Sequence, residues 1–482
     1  MAGYSDSFPH GDGRAGAAWG TLILERALLL VKVIGELVRR NEAQSTTARQ
    51  QIADWAADHV QLTLILVAAI ALALDAVALM IDPPALGSGG TGNWWPLVLN
   101  VANGKGYTAC YEEYFPFCAA TTQETAQREP LPVLLFAAIA VLTHESLWAA
   151  SIFQIMLHIA ILIGVFYIAA ELTNKFVALL AALIWAVYVP GVALVTSVVG
   201  DLLATLCLTG GLFLFMHAQQ TRRSWAWVTA GLCFGLAALS RSVILAIAAV
   251  LAVTLIPRKQ LTKTTLRQLL LKESRPVILF AVAFIVMLSP WVIRNYFVYK
   301  RLIIGTTLAG YNLYRHNAVI ETENYLHYVG PDEARAEVKA LMARRTDLHG
   351  TEDEAQMDLV YREEAIRIIT ADPFRYVTLS AYRFLQLWFD WSVRENYGDK
   401  LTVLDYLMLL QQGGLLILAV VGIRPMWRQG WPLAISSLVV ILLHMAIASR
   451  LRFLVVGMPM IIILSAVGAE AIGRRLRSER SH

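Results

Sequence analysis

Three consecutive pieces of sequence decide how this chain is read. They are D-P-P-A-L-G-S-G-G-T-G-N-W-W-P-L-V-L-N-V-A-N-G-K-G-Y (82–107), T-A-C-Y-E-E-Y-F-P-F-C (108–118) and Q-E-T-A-Q-R-E-P-L-P (123–132). An apolar run long enough to span a bilayer enters the stretch at Asp82, and another leaves it at Pro130. Connections of this length between packed elements are either functional or disordered. Disordered linkers are poor in bulky residues, whereas this one carries Trp94, Trp95, Tyr107, Tyr111, Tyr114, Phe115 and Phe117 among the carboxylates Asp82, Glu112, Glu113, Glu124 and Glu129 and the cation Arg128. Rings, carboxylates and an arginine held together at a membrane surface mark a candidate site.

Composition sets the class. Of 482 residues, 57% are hydrophobic and 16% charged, with a mean hydropathy of +0.56; soluble domains carry about a quarter charged residues. The chain is therefore expected to be an all-α polytopic membrane protein. A net charge of +4 is too small to point to nucleic acid, and basic residues in such chains mostly report topology. The first twenty residues are polar and glycine-rich, so no cleavable signal peptide is expected.

Outward from the loop, residues 1–60 read as a cytoplasmic segment, disordered except for an interfacial amphipathic helix at 21–40. The first span is expected at about 61–81, since about 20 apolar residues cross the hydrocarbon core; Asp75 inside it needs a protein or water partner. Residues 131–143 are too short to cross and should lie along the outer surface. Further spans are expected at about 149–170, 175–193, 201–217, 225–240, 242–257 and 276–293, completing a module over 61–293 that includes outer loop 82–131. Residues 294–400 form a second outer segment with helical periodicity at 332–342 and 352–369 and an aromatic surface helix at 374–393. Spans at about 403–423, 431–448 and 453–472 and a basic tail close the chain over 401–482. Placing Arg222, Arg223 and the basic cluster from Arg258 to Arg275 in the cytoplasm puts both long loops outside. About ten spans result, with both termini inside.

Cys110 and Cys118 share the outer loop, an oxidising compartment where a disulfide persists; Cys207 and Cys233 lie within apolar spans. The ten histidines are scattered, without metal-ligand spacing. No cofactor is implied, and a divalent metal stays compatible with the sequence.

Several segments together resemble one family. L-N-V-A-N-G-K-G-Y (99–107) followed by R-E-P-L-P (128–132), A-G-L-C-F-G-L-A-A-L-S-R (230–241), L-S-P-W-V-I-R-N-Y (288–296) running into G-T-T-L-A-G-Y-N-L-Y (305–314), and S-R-L-R-F (449–453) resemble membrane glycosyltransferases of the GT-C fold, nearest the protein mannosyltransferase and aminoarabinose transferase type. The resemblance implies transfer of a sugar from a polyprenyl-phosphate donor to an acceptor hydroxyl of a lipid or glycan on the extracytoplasmic face, with inversion, at the plasma (bacterial inner) membrane. It also implies a first-loop carboxylate as base and cations on the donor phosphate. The family's first-loop acid falls near Gly90 here, which cannot ionise; Asp82 at the end of the first span, or another loop carboxylate such as Glu129, would have to substitute. A second acidic position falls on Asp201.

Independent of that resemblance, such a transfer needs a base within about 2.6–3.2 Å of the acceptor hydroxyl and preorganised cations at the leaving group. Asp201, Arg241, Arg294, Arg450 and Arg452 all fall at outer span ends in the scheme above, with Arg128 in the loop. Each has a plainer reading: Asp201 as a helix N-cap, Arg241 as a snorkelling side chain, Arg294 with Asn295 as an interfacial anchor. Trp94 and Trp95 fit an interfacial belt or a sugar-stacking platform, with Tyr107 and Asn295 as further sugar or acceptor contacts. A lipid-linked-glycan flippase or polymerase, or a noncatalytic envelope-assembly partner, are the rival classes; a flippase would call for internal repeats, and none is visible.

Overall fold

A computed structural model describes residues 58–86, 91–118, 123–256, 275–320, 324–327, 329–389 and 403–480. The amphipathic helix expected at 21–40, the basic residues from Arg258 to Lys272, and Gly90 lie outside the described residues. The architecture is helical, and the loops contribute one isolated antiparallel bridge, Thr108 with Glu124.

Helix α1 (Val60–Ile81) shows how the apolar runs divide between lipid and protein. Val67, Ala71, Asp75 and Leu79 are spaced by four, so they share one face, and that face is buried. Ile65, Leu66, Leu72 and Met80 are exposed, as a lipid-facing surface requires. The expected mid-membrane Asp75 thus sits on the protein-facing stripe. There it meets His158 of α4 (Leu147–Leu172), Oδ2 to Nδ1 at 2.9 Å, both side chains fully buried.

Between these, α2 (Thr91–Ala102) and α3 (Pro130–Leu142) pack on each other, with proline in the first turn of α3, where a missing N–H costs nothing. Helices α5 (Lys175–Ala186) and α6 (Val189–Ala193) with a following 3₁₀ turn (Leu194–Thr196) are bent by 48°. Pro190 fixes the bend by entering α6 early. Helices α7 (Asp201–Thr221), α8 (Ser224–Ala238), α9 (Ile244–Thr254) and α10 (Arg275–Tyr299) follow.

Outside the bundle, α11 (Ala309–Ala318), α12 (Pro331–Arg344), α13 (Glu354–Ala371) and α14 (Pro373–Phe389) form the second outer segment. Its own core holds Tyr311, Tyr314, Val338, Leu341 and Tyr361, together with Phe115 from the first loop. The two outer segments therefore fold as one cap. Within it, α14 covers residues 373–389 of the aromatic helix expected at 374–393, and its Arg383 is buried against the carbonyls of His316, Met445 and Ala446.

The chain ends with α15 (Val403–Ala446), α16 (Leu451–Leu454), a 3₁₀ turn and α17 (Met458–Arg480). Although α15 is assigned as one 44-residue helix, its halves meet α17 in opposite senses. Leu415 O accepts from Ser465 Oγ at 2.8 Å, and a Cβ on Gly468 would strike Leu418 O, so the first half runs parallel to α17. Val440 packs on Gly457, and the His444 ring lies 5.1 Å from that of Phe453, so the second half runs antiparallel. A straight helix would be about 66 Å long at 1.5 Å per residue and could not do both. The chain folds back at Arg424–Pro432, where Pro425 and Pro432 interrupt the backbone ladder. This retains the expected reversal between 403–423 and 431–448.

The expected ten spans are not reached by length and composition. Among the described residues, with α15 counted once, six helices are long and apolar enough to cross a membrane, or seven with the bent pair counted as one. Helices α8 and α9, expected as the spans 225–240 and 242–257, are 15 and 11 residues long and fall short of the roughly 20 residues a crossing needs.

Candidate active site

The first outer loop is built around Arg128. Its guanidinium lies 5.7 Å from the Trp94 ring, 5.5 Å from Tyr111 and 5.6 Å from Tyr114. Rings hold a cation through their negative faces, and the adjoining Glu129 lies within electrostatic range of it. Cys110 and Cys118 are joined as expected, Cα atoms 5.7 Å apart, tying together the segment that supplies two of these rings. The adjoining Glu129 is largely buried and accepts from Ser242 N at 2.9 Å and Ser242 Oγ at 3.0 Å. That pair clamps the first loop to the turn carrying Arg241.

Asp201 opens α7 and is 1% exposed. Gly200 occupies the cap position and Asp201 makes no capping bond, so the N-cap reading does not hold. Its partner is Arg241, Nη2 to Oδ1 at 3.1 Å. That contact is close but poorly aligned, because the same Oδ1 has no hydrogen bond of acceptable geometry. The Arg241 guanidinium also lies 4.9 Å from the Phe453 ring, with Arg452 5.3 Å from the same ring. Arg452 in turn lies within electrostatic range of Asp201, Arg241, Arg450 and Arg128. Four arginines and two carboxylates, Asp201 and Glu129, therefore lie within electrostatic range of Arg452 or Arg128, a formal surplus of two positive charges. The Nε groups of Arg128 and Arg452 are buried and lack hydrogen-bond partners. Buried donors are rarely left so, and an anion placed among them would satisfy both.

Other expected residues are used differently. Arg294 donates to Thr125 O at 2.8 Å, Asn295 Oδ1 at 3.1 Å and Tyr107 O at 3.3 Å, and pairs with Glu124. Its fork is filled by the first loop, so it acts as a loop clamp. Trp94 and Trp95 are buried in the main core, which removes both the interfacial-belt and the sugar-platform readings; Trp94 instead supports Arg128. Asn295 is fully buried and donates to Ile303 O at 3.2 Å, leaving no surface for a sugar. Tyr107 is half-buried and donates to Arg128 O at 2.9 Å, fixing the backbone beside the caged guanidinium. Asp82 is exposed at the end of α1 and accepts from Thr196 Oγ1 at 3.1 Å, at the far end of the short segment that leads to Asp201.

Sequence reading did not single out Phe453, His444, Ser242 or Glu354. Phe453 follows two closely spaced arginines in S-R-L-R-F, and that spacing was the available signal. Glu354 is nearly buried and accepts from Thr125 Oγ1, Ala126 N, Tyr299 OH and Thr307 Oγ1. It joins the second outer segment to the first loop. Among the described residues, no three His, Cys, Asp or Glu side chains gather as a metal site would need.

Residues 127–293 match the family described as dolichyl-phosphate-mannose-protein mannosyltransferase; this stretch holds Arg128, Glu129, Asp201 and Arg241. No curated protein matches the chain. Among solved structures it is similar to the Archaeoglobus fulgidus oligosaccharyltransferase in the apo form, at 16% identity and a TM-score of 0.50, covering 87% of this chain and 51% of that one. A second structure, the oligosaccharyltransferase AglB of the same organism in complex with an inhibitory peptide and a dolichol-phosphate, gives 14% identity and a TM-score of 0.48, covering 89% and 52%. The chain spans about half the length of these solved proteins, and the first likeness is one of fold. The chain is a multi-pass membrane protein with a glycosyltransferase-like GT-C fold, and its residues 127–293 carry the sequence pattern of the dolichyl-phosphate-mannose-protein mannosyltransferases.

Proposed function

We propose that this protein transfers a sugar from a polyprenyl-phosphate donor to an acceptor hydroxyl on the outer face of the membrane. The observation that carries the reading is the buried Asp201 beside Arg241 at 3.1 Å, inside a cluster of four arginines, two of which, Arg128 and Arg452, have a buried Nε without a hydrogen-bond partner. A phosphate-linked leaving group matches that surplus of charge. The name of the matched family points to a dolichyl-phosphate sugar as its donor class.

In the proposed step, Asp201 accepts the proton of the acceptor hydroxyl as that oxygen attacks the anomeric carbon. The bond from the anomeric carbon to the phosphate oxygen breaks, and the electron pair leaves with the polyprenyl phosphate. Attack opposite the leaving group inverts the anomeric centre. Arg241, Arg452, Arg450 and Arg128 stabilise the charge developing on the phosphate, which is where preorganised cations contribute most. Glu129, through Ser242, holds Arg241 in register. The acceptor in this reading is a lipid or glycan hydroxyl.

A second assignment of the base has its own observation: Asp82 is exposed and Asp201 is not, so Asp82 is the more accessible to an incoming acceptor. Transfer from a radiolabelled polyprenyl-phosphate sugar by purified protein tests both. Loss of a general base costs on the order of 10²–10⁴ in rate. Asp201→Asn is expected to lose that much while still binding donor, and Asp82→Asn to stay within tenfold of wild type. The reverse pattern moves the base to Asp82. A wild-type chain that transfers nothing from any polyprenyl-phosphate sugar would favour the noncatalytic assembly role.

A further inference from the structure

A cavity of about 530 Å³ lies between the chain segment 301–307 and helix α13, and the proposed transfer does not use it. Arg301, Leu302, Ile304 and Thr307 line one wall, and Asp358 and Arg362 the other. Its position follows from the fold. Helix α10 is an apolar span ending at Tyr299, so residues just beyond it emerge at the outer membrane surface. Phe297, Leu302 and Ile304 are 67%, 72% and 45% exposed there. So much exposed apolar surface beside the cavity mouth marks a contact with a membrane or another apolar partner.

The polar lining is cationic. Asp358 is spent within the protein: its Oδ1 accepts from Gly310 N at 2.7 Å, and its Oδ2 pairs with Arg362 at 3.2 Å. Arg301 is exposed and has no hydrogen bond or ion pair among the described residues. Counting Arg301, Arg362 and Asp358 leaves one formal positive charge facing the cavity. A planar guanidinium at an interface matches a phosphate ester better than an ammonium does.

We propose that this cavity is a binding site for the phosphate headgroup of an anionic membrane lipid, with its acyl chains running along Leu302, Ile304 and Phe297. The headgroup phosphate accepts from Arg301 and from the outer face of Arg362. Neither Arg301 nor Arg362 belongs to the arginine cluster around Asp201, so the site is tested apart from the transfer reaction.

The test uses the full-length protein in nanodiscs containing equal amounts of phosphatidylglycerol and phosphatidylcholine. Lipids retained after transfer to mild detergent are counted by native mass spectrometry. Wild type is expected to retain phosphatidylglycerol several-fold over phosphatidylcholine. Arg301→Gln should lower that preference about tenfold, the scale of one lost charge-assisted bond. Because Arg301 supports no internal contact, its loss leaves the fold intact; Arg362→Gln is the second variant and should act in the same direction. Equal retention of the two lipids by wild type, or an unchanged preference in Arg301→Gln, overturns the proposal. Displacement of the retained lipid by excess inorganic phosphate alone also overturns it, since that would make the cavity a free-anion site. A general interfacial role for Arg301 predicts no individually retained lipid, and is excluded by the expected result.

Discussion

Replacing Glu354 tests how the outer cap is fastened to the first loop. Its Oε1 accepts from Thr125 Oγ1 and Thr307 Oγ1, and its Oε2 from Ala126 N and Tyr299 OH. Glu354→Ala removes the acceptor for all four donors. The threonine hydroxyls can rotate to other partners, but the Ala126 amide is fixed and the Tyr299 phenol is confined. Each orphaned buried donor costs roughly 1–3 kcal/mol. Relief of the buried charge offsets part of that, leaving a net loss of about 2–4 kcal/mol. Glu354→Gln keeps one oxygen, which can serve Ala126 and Tyr299 while its NH₂ donates to the threonines, so the expected loss is about 1 kcal/mol or less. Thermal unfolding in detergent, read by proteolysis of residues 324–389, should show a drop of several degrees for the alanine variant.

A pH arm sharpens this test. Burial pushes the Glu354 carboxyl up from its ordinary value of 4.5, against the pull of its hydroxyl and amide donors. A folded-state pKa above the unfolded one means the folded state binds its proton more tightly. The stability this confers is full below about 4.5 and is lost as pH rises through the raised value. Glutamine has no such dependence. The advantage of wild type over Glu354→Gln should therefore be greatest in acid and shrink with rising pH. An alanine variant as stable as wild type, or an advantage that grows with pH, would refute the assignment.

Three further outcomes follow from the same contacts. Asp75→Ala should cost about 3–5 kcal/mol in thermal stability by stranding His158, while the double change to leucine at both positions should recover most of it. Arg294→Lys should lower stability by roughly 1–3 kcal/mol, because lysine cannot bridge the carbonyls of Thr125 and Tyr107 together with Glu124, and should leave donor affinity unchanged. With single cysteines at Thr351 and Arg428, an impermeant thiol reagent applied to intact cells should label the first and not the second, since the Arg424–Pro432 turn is assigned to the cytoplasm.

The sequence revealed the parts of this molecule that depend on local composition. Apolar runs marked the helices, and the outer location of Cys110 and Cys118 marked the disulfide. Asp201 and Arg241 were picked out because both fall at outer span ends, and they prove to be partners. What stayed hidden depended on contacts between distant positions. The partner of Asp75 is 83 residues away, and nothing in its flanking sequence points to His158. Trp94 and Trp95 looked interfacial from their place in a loop, yet α2 packs them into the core. Arg294 carried the same charge and the same topological position as Arg241, and only the path of the first loop separates a filled fork from an available one. The count of ten spans is not reached in part because α8 and α9, expected as the spans 225–240 and 242–257, are 15 and 11 residues long, shorter than a crossing needs.

The central claim is that the arginines around Asp201 hold a polyprenyl phosphate. Equilibrium binding of radiolabelled polyprenyl phosphate to purified wild type, Arg241→Gln, Arg452→Gln and Arg294→Lys tests it most directly. Each glutamine variant should bind at least tenfold more weakly, a difference of about 1.4 kcal/mol, while Arg294→Lys binds as wild type does. Undiminished binding by both glutamine variants, or a loss confined to Arg294→Lys, would contradict the account.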